Sequence, residues 1–159
     1  MKKVLNEDLI LYFNDHFPYK RATVSNKNFF VTIGIGGNIG DVKLRFNKLF
    51  LSFLDDNRFD IIQTSPLLEN PPFGYTMQDD FLNAVMVLKT NLSPKQCLKA
   101  FQRYENRYKR KRSFKDAPRT LDIDIIFYEN KTIDTKDLTI PHKFWNQRES
   151  VVIPLGYVI

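Results

Sequence analysis

Residues 121 to 128, Leu-Asp-Ile-Asp-Ile-Ile-Phe-Tyr, combine β-branched and aromatic side chains with two acids spaced by one residue. Such a run reads as a β-strand, expected over Thr120 to Tyr128, whose successive side chains point to opposite faces of a sheet. Asp122 and Asp124 then share one face, while Leu121, Ile123, Ile125 and Phe127 take the other and bury against helices. The chain must therefore fold into a sheet that is covered on one side of this strand and open on the other. Two rises separate the acids by about 7 Å at Cα, so their carboxylates can converge on cations. Without a cation their repulsion, and the poor strand propensity of Asp, make the pair costly. Mg²⁺ suits it, as a hard ion held by one or two carboxylates plus substrate phosphates.

What precedes this strand strengthens the reading. Arg107, Lys109, Arg110, Lys111 and Arg112 are nearly contiguous, with Lys115 and Arg119 following, and they carry much of the net charge of +6. Guanidinium groups and metal converging on one place are the means of binding a polyphosphate. A basic loop also suits RNA, which ferredoxin-like sheets bind through stacking aromatics. The alternating Gly and aromatic pattern of such RNA binders is missing from 29–35 and 81–88, and sheet acids repel a phosphate backbone. No nucleic-acid partner is expected.

The remaining periodicities define the fold. A strand is expected over Phe29 to Ile35, a turn at Gly36 to Gly40, and a helix over Val42 to Leu54. The glycines fit neither the dinucleotide fingerprint nor the phosphate-binding loop with its Lys and Ser/Thr, so they imply a tight turn with close backbone approach. Further strands are expected at Phe59 to Thr64 and Phe81 to Leu88, separated by a long loop over Leu67 to Asp80 that contains Pro71, Pro72 and Gly74. Ser93, Pro94 and Gln96 supply a cap, an N1 proline and a capping-box partner for a helix running to about Tyr108. The order β-α-β-β-α-β predicts an α+β, ferredoxin-like sandwich with an antiparallel sheet and both helices on one face. A short strand pair within 131–140 and a helical turn over 142–147 follow. Residues 1–28 read as an appendage, a short helix and then a linker, ahead of a single domain over 29–159.

The 159 residues suffice for one core. No apolar run is long enough to span a membrane, and the acids and Asn residues of the first twenty positions interrupt any signal sequence. The lone Cys97 excludes an intramolecular disulfide and fits a reducing cytoplasm. Phe81 and Asn83 share a strand face, where a flat heterocycle can stack on one and hydrogen-bond to the other. Gln102 and Glu105 lie at i, i+3 on the second helix.

The ordered set Asn-Pro-Pro-Phe-Gly (70–74), Phe-Leu-Asn-Ala (81–84), Gln102 with Glu105, Arg-Lys-Arg (110–112), Pro-Arg-Thr-Leu-Asp-Ile-Asp-Ile (118–125), and Leu-Thr-Ile-Pro-His followed by Arg148 resembles the 6-hydroxymethyl-7,8-dihydropterin pyrophosphokinase family of folate biosynthesis. The resemblance implies a monomeric enzyme that transfers the terminal pyrophosphoryl group of ATP to the hydroxymethyl group of the pterin and releases AMP. It implies that Asp122 and Asp124 ligate two Mg²⁺ ions, and that Arg110, Arg112 and Arg119 line the triphosphate. It assigns Gln102, Glu105, His142 and Arg148 to the nucleotide site, and Asn70, Pro71, Pro72, Phe73, Phe81 and Asn83 to the pterin pocket. The position of the family's second pterin-stacking aromatic is Ser150 here, with Phe144 and Trp145 the aromatics nearby.

Overall fold

The computed structural model describes residues 1–110 and 114–158. In chain order these form β1 (Lys2–Val4), β2 (Ile10–Tyr12), β3 (Tyr19–Lys20), β4 (Phe29–Gly37), α1 (Val42–Leu54), β5 (Phe59–Thr64), β6 (Leu67–Asn70), β7 (Phe81–Thr90), α2 (Pro94–Arg107), β8 (Asp122–Tyr128), β9 (Ile133–Asp134), β10 (Thr139–Ile140), a 3-10 turn (Trp145–Gln147) and α3 (Glu149–Leu155). All strand pairings are antiparallel. The architecture is α+β, consistent with the ferredoxin-like expectation. Strand β7 pairs with β4, and β4 with β8. The other edge of β7 is shared, β6 pairing at residues 81–83 and β5 at residues 86–90.

Helices α1 and α2 pack on one face, as expected. Phe46, Leu49, Phe50 and Phe53 of α1 and Cys97, Phe101 and Tyr104 of α2 meet Ile33, Ile35, Ala84, Met86, Ile123 and Ile125 of the sheet. The start of α2 is the expected capping box, with Gln96 N donating to Ser93 Oγ (3.2 Å) and Ser93 N donating to Gln96 Oε1 (2.8 Å). The opposite face is only partly covered, by α3, through Val85, Ile126, Phe127, Trp145, Val151 and Leu155.

Four expectations need correction. Residues 1–28 form strands rather than a helix and linker: β2 pairs β6, β3 pairs β5, and the fully buried Phe17 packs on Phe46 and Phe50. The spacing of Leu5, Leu9, Ile10 and Phe13 mimics a helix, but the edge of β6 offers unpaired backbone groups, and pairing with them wins. Residues 67–70, expected in a loop, are strand β6 for the same reason. Gly34 to Gly37 continue β4, and the turn is confined to 38–41, where Gly40 takes φ +74°. Finally, Phe127 does not join Ile123 and Ile125. Thr32 opposes Phe127 while Ile33 opposes Ile125, so Ile126 is an extra bulge residue. Parity flips there, turning Phe127 towards α3 and Tyr128 into the main core.

A polar clasp ties the two large helices together. Tyr104 OH donates to Asp56 Oδ2 (2.7 Å), and Arg58 donates through Nη2 (2.7 Å) and Nε (2.9 Å) to the same carboxylate. Burial by itself would raise the Asp56 pKa, but these hydrogen bonds outweigh it and bring the value down to about 2. A depressed folded-state pKa stabilises the protein above the ordinary carboxylate value, and the contribution is lost as pH falls towards the folded one. Asp56→Asn should therefore cost roughly 2 kcal/mol at pH 7. Thermal unfolding of parent and variant should converge as pH approaches 2.

Candidate active site

The cleft opens on the less covered face, and its floor is set by what β4 lacks. One cross-strand row runs from Asp122 of β8 to Gly36 of β4 and Asn83 of β7, and a second runs from Asp124 to Gly34 and Val85. With hydrogen in place of side chains on β4, a trough lies between the acids and the amide. A Cβ on Gly36 would stand 2.5 Å from Asn83 Oδ1, so only glycine lets that oxygen lie over the strand.

The cleft is lined by Gly34, Gly36, Asn70, Phe73, Phe81, Asn83, Asp116, Arg119, Asp122, Asp124, Ile126, His142, Arg148, Ser150 and Val151. Asp122 sits between two guanidiniums, with Arg119 Nη1 at 3.2 Å and Arg110 Nη2 at 3.6 Å. Burial, together with the neighbouring Asp122 and Glu105 carboxylates, pushes the Asp124 pKa well up, against an opposing pull from Arg148. Two acids so placed gain most from a multivalent cation. On the amide side, Asn83 Nδ2 donates to Asn70 Oδ1 (2.6 Å), which fixes the Asn83 carboxamide, and the Arg119 guanidinium lies 5.3 Å over the Phe81 ring.

The outer edge of β8 is held by residues that sequence placed in the nucleotide site. Glu105, buried on α2, accepts from Ile123 N (2.8 Å), and His142 N donates to Ile126 O (3.0 Å). Burial and Arg148 lower the His142 pKa against the pull of Asp122. Its Nδ1 accepts weakly from Phe144 N (3.4 Å), which leaves Nε2 as the protonated nitrogen of the neutral ring. Arg148 lies between the rings of Phe73 (5.2 Å) and Phe144 (5.5 Å), and its Nε is buried with no hydrogen-bond partner among the described residues.

Most expected site residues thus meet in one cleft, with exceptions. Gln102 is exposed and lines a separate groove with Leu98, Ile133 and Leu138, between α2 and the β9–β10 pair. Pro71 and Pro72 flank the cleft without lining it, and Arg112 falls outside the described residues. Trp145 packs on Phe127 (5.0 Å) and Phe144 on Arg148, and neither lines the cleft beside Ser150. The side chain lining the cleft from the loop is Phe73, 67% exposed.

Two further residues, Asn38 and Gln78, organise the rim. Buried Asn38 accepts from Arg119 N (3.0 Å) through Oδ1, while its Nδ2 donates to Gln78 Oε1 and Asp79 O (both 2.9 Å). Gln78 Nε2 in turn donates to Asp116 O (2.8 Å) and Tyr75 O (2.6 Å). A strand-to-helix turn, the loop before β7 and the end of the basic loop are thereby fastened to one another. Asn in a Gly-rich stretch reads as turn chemistry, so sequence alone gave no sign of this junction. Asn38→Ala removes the partner of Arg119 N and the donor to Gln78 Oε1 and Asp79 O, and should cost about 2–4 kcal/mol. Denaturant unfolding reads the loss, and amide exchange at Arg119 should accelerate more than at mid-β4.

Comparison with known proteins fits this geometry. Residues 32–159 match the family model of 7,8-dihydro-6-hydroxymethylpterin-pyrophosphokinase. The 2-amino-4-hydroxy-6-hydroxymethyldihydropteridine pyrophosphokinase of Campylobacter jejuni is 44% identical over 142 residues, covering 89% of this chain and 90% of the relative. The Helicobacter pylori protein of the same name is 42% identical over 139 residues, covering 86% and 83%. A folic acid synthesis protein of Dictyostelium discoideum is 37% identical over 139 residues that make up 21% of its own length. The match extends from β4 through α3 and takes in every element that lines the cleft. By that span and those identities, the chain belongs to the 7,8-dihydro-6-hydroxymethylpterin pyrophosphokinase family.

Proposed function

We propose that this chain transfers the terminal diphosphate of ATP to the hydroxymethyl oxygen of 6-hydroxymethyl-7,8-dihydropterin, releasing AMP, as a monomeric cytoplasmic enzyme of folate biosynthesis. The observation that carries the reading is the trough. It brings paired acids and arginines to one side, and an amide with an aromatic ring to the other, in a chain whose relatives are named for this reaction. The relatives lend nothing to a non-catalytic RNA- or nucleotide-binding role.

The donor set suits Mg²⁺, for which we propose two ions, because half-buried Asp124 crowds two other carboxylates and Asp122 offers oxygens of the same hard character. Bound there with ATP, Mg²⁺ would neutralise phosphate charge and lower the proton affinity of the attacking hydroxyl. Arg110 and Arg119, which pair with Asp122, are placed to turn to the phosphates when a cation takes the carboxylate, with Arg112 assigned to the same group. The Arg148 Nε, without a partner among the described residues, and the His142 Nε2–H supply further donors towards an anion. Gln102, with the apolar Leu98, Ile133 and Leu138, offers a groove for the adenine base across the outer edge of β8.

On the acceptor side, Phe81 provides one stacking face and Asn83, oriented by Asn70, reads the hydrogen-bonding edge of the pterin. Phe73 takes the second face from the loop, the role that Ser150 is too small to fill. The hydroxymethyl oxygen attacks the β-phosphorus, its bond to the bridging α–β oxygen breaks, AMP leaves, and the hydroxyl proton is released. Such transfer depends on positioning and charge neutralisation, which these residues supply without a covalent intermediate.

Incubation with ATP, Mg²⁺ and the reduced pterin should yield AMP and the pterin diphosphate; ADP as product would overturn the reading. Asp122→Asn and Asp124→Asn should each slow turnover about a hundredfold, close to 3 kcal/mol of transition-state stabilisation. Near-parent rates in both would remove the metal role. Gly36→Ala should raise the KM for the pterin about tenfold by displacing Asn83 Oδ1, while leaving the KM for ATP nearly unchanged.

A further inference from the structure

The family model begins at residue 32 and so does not include β1 and β2. We infer that this N-terminal hairpin is a positioning element for the acceptor half of the cleft. The inference rests on the reaction proposed for that cleft, and its grounds are the register of the sheet and a small apolar cluster separate from the main core.

Leu11 of β2 opposes Leu68 of β6, Leu68 opposes Asn83 of β7, and the same row continues through Gly36 to Asp122. Leu11 and Leu68 are thus the extension of the cleft floor beyond Asn83, on the same face. Both are fully buried, and with Leu9, Phe13 and Ile153 they form a cluster of their own. Two of the elements meeting there build the acceptor wall. Strand β6 ends in Asn70, whose Oδ1 holds Asn83, and leads into the loop that carries Phe73. Helix α3, which contributes Ile153, brings Ser150 and Val151 to the cleft, while Arg148 at its cap lies over Phe73.

The cluster therefore supports β6 and α3 from behind at the same time. Removing it exposes the β6 edge and the Leu68 side chain to water and frees α3 to shift relative to Asn83. The metal side stands apart. Strand β8 lies beyond β7 and β4, and Glu105 and His142 secure it from the opposite edge. A disturbance at Leu11 should consequently reach pterin binding and leave nucleotide binding largely alone. Small local clusters of this kind yield as separate units before the whole domain does.

The test uses the full chain. Leu11→Ala and Leu9→Ala are assayed by AMP release for KM of the reduced pterin and KM of ATP, with melting temperatures measured in parallel. The expected result is a rise of about tenfold in the pterin KM, an ATP KM within about twofold of the parent, and recovery of the pterin KM in Leu11→Ile. A merely structural role lowers kcat through a smaller active fraction and moves neither KM; that result overturns the inference. So does an equal rise in both KM values, or loss of folding in both variants, since the cluster would then support the whole domain. Absence of turnover in the parent chain would instead count against the proposed reaction itself.

Discussion

Two carboxylates side by side on a sheet face are tolerable only where nothing apolar covers them. That constraint organises the rest of the molecule. The face opposite the acids takes both long helices and nearly all the aromatic core, so β8 can be anchored through Ile123 and Ile125 while Asp122 and Asp124, half-buried, open onto the cleft. The bulge at Ile126 ends the arrangement two residues past the second acid, returning the strand to apolar contacts on its other side with α3. The partial cover by α3 leaves the cleft.

An edge strand bearing paired acids needs its backbone held, and this molecule uses residues beside the cleft to do so. Glu105 is buried and spends one oxygen on a strand N–H rather than facing the cleft, and the His142 backbone closes the neighbouring carbonyl. Residues that a motif groups together therefore occupy two kinds of place. Some line the cleft, and others fix the strand that forms its floor.

This division shows how far sequence could go. The acids were legible because strand parity needs only the local pattern, and Phe81 with Asn83 followed from the same rule. The capped start of α2 was legible because Ser93, Pro94 and Gln96 act on their own backbone. Strands β2 and β6 were not, since their partners lie far away along the chain and their own residues, Pro and Asn nearby, advertise loop. The parity break at Ile126 is set by pairing with β4 and leaves no mark in a run of apolar residues. Gln102 looked adjacent to Glu105 because both lie on one helix flank, yet the turn between them carries it to the groove beside β9 and β10. Gln78 gave no signal at all, a lone amide in a polar loop.

The bare central strand has one more consequence. Because β4 contributes no side chain between Asn83 and Asp122, their separation is measured out by backbone alone, as two interstrand spacings of about 4.8 Å. Hydrogen-bonded strands do not breathe by more than a fraction of that spacing, whereas side chains swing through several ångströms. On the proposed reaction, the sheet is a fixed gauge between the amide that would recognise the acceptor and the carboxylates that would hold the cation. Whatever the surrounding loops do, that backbone distance stays the same.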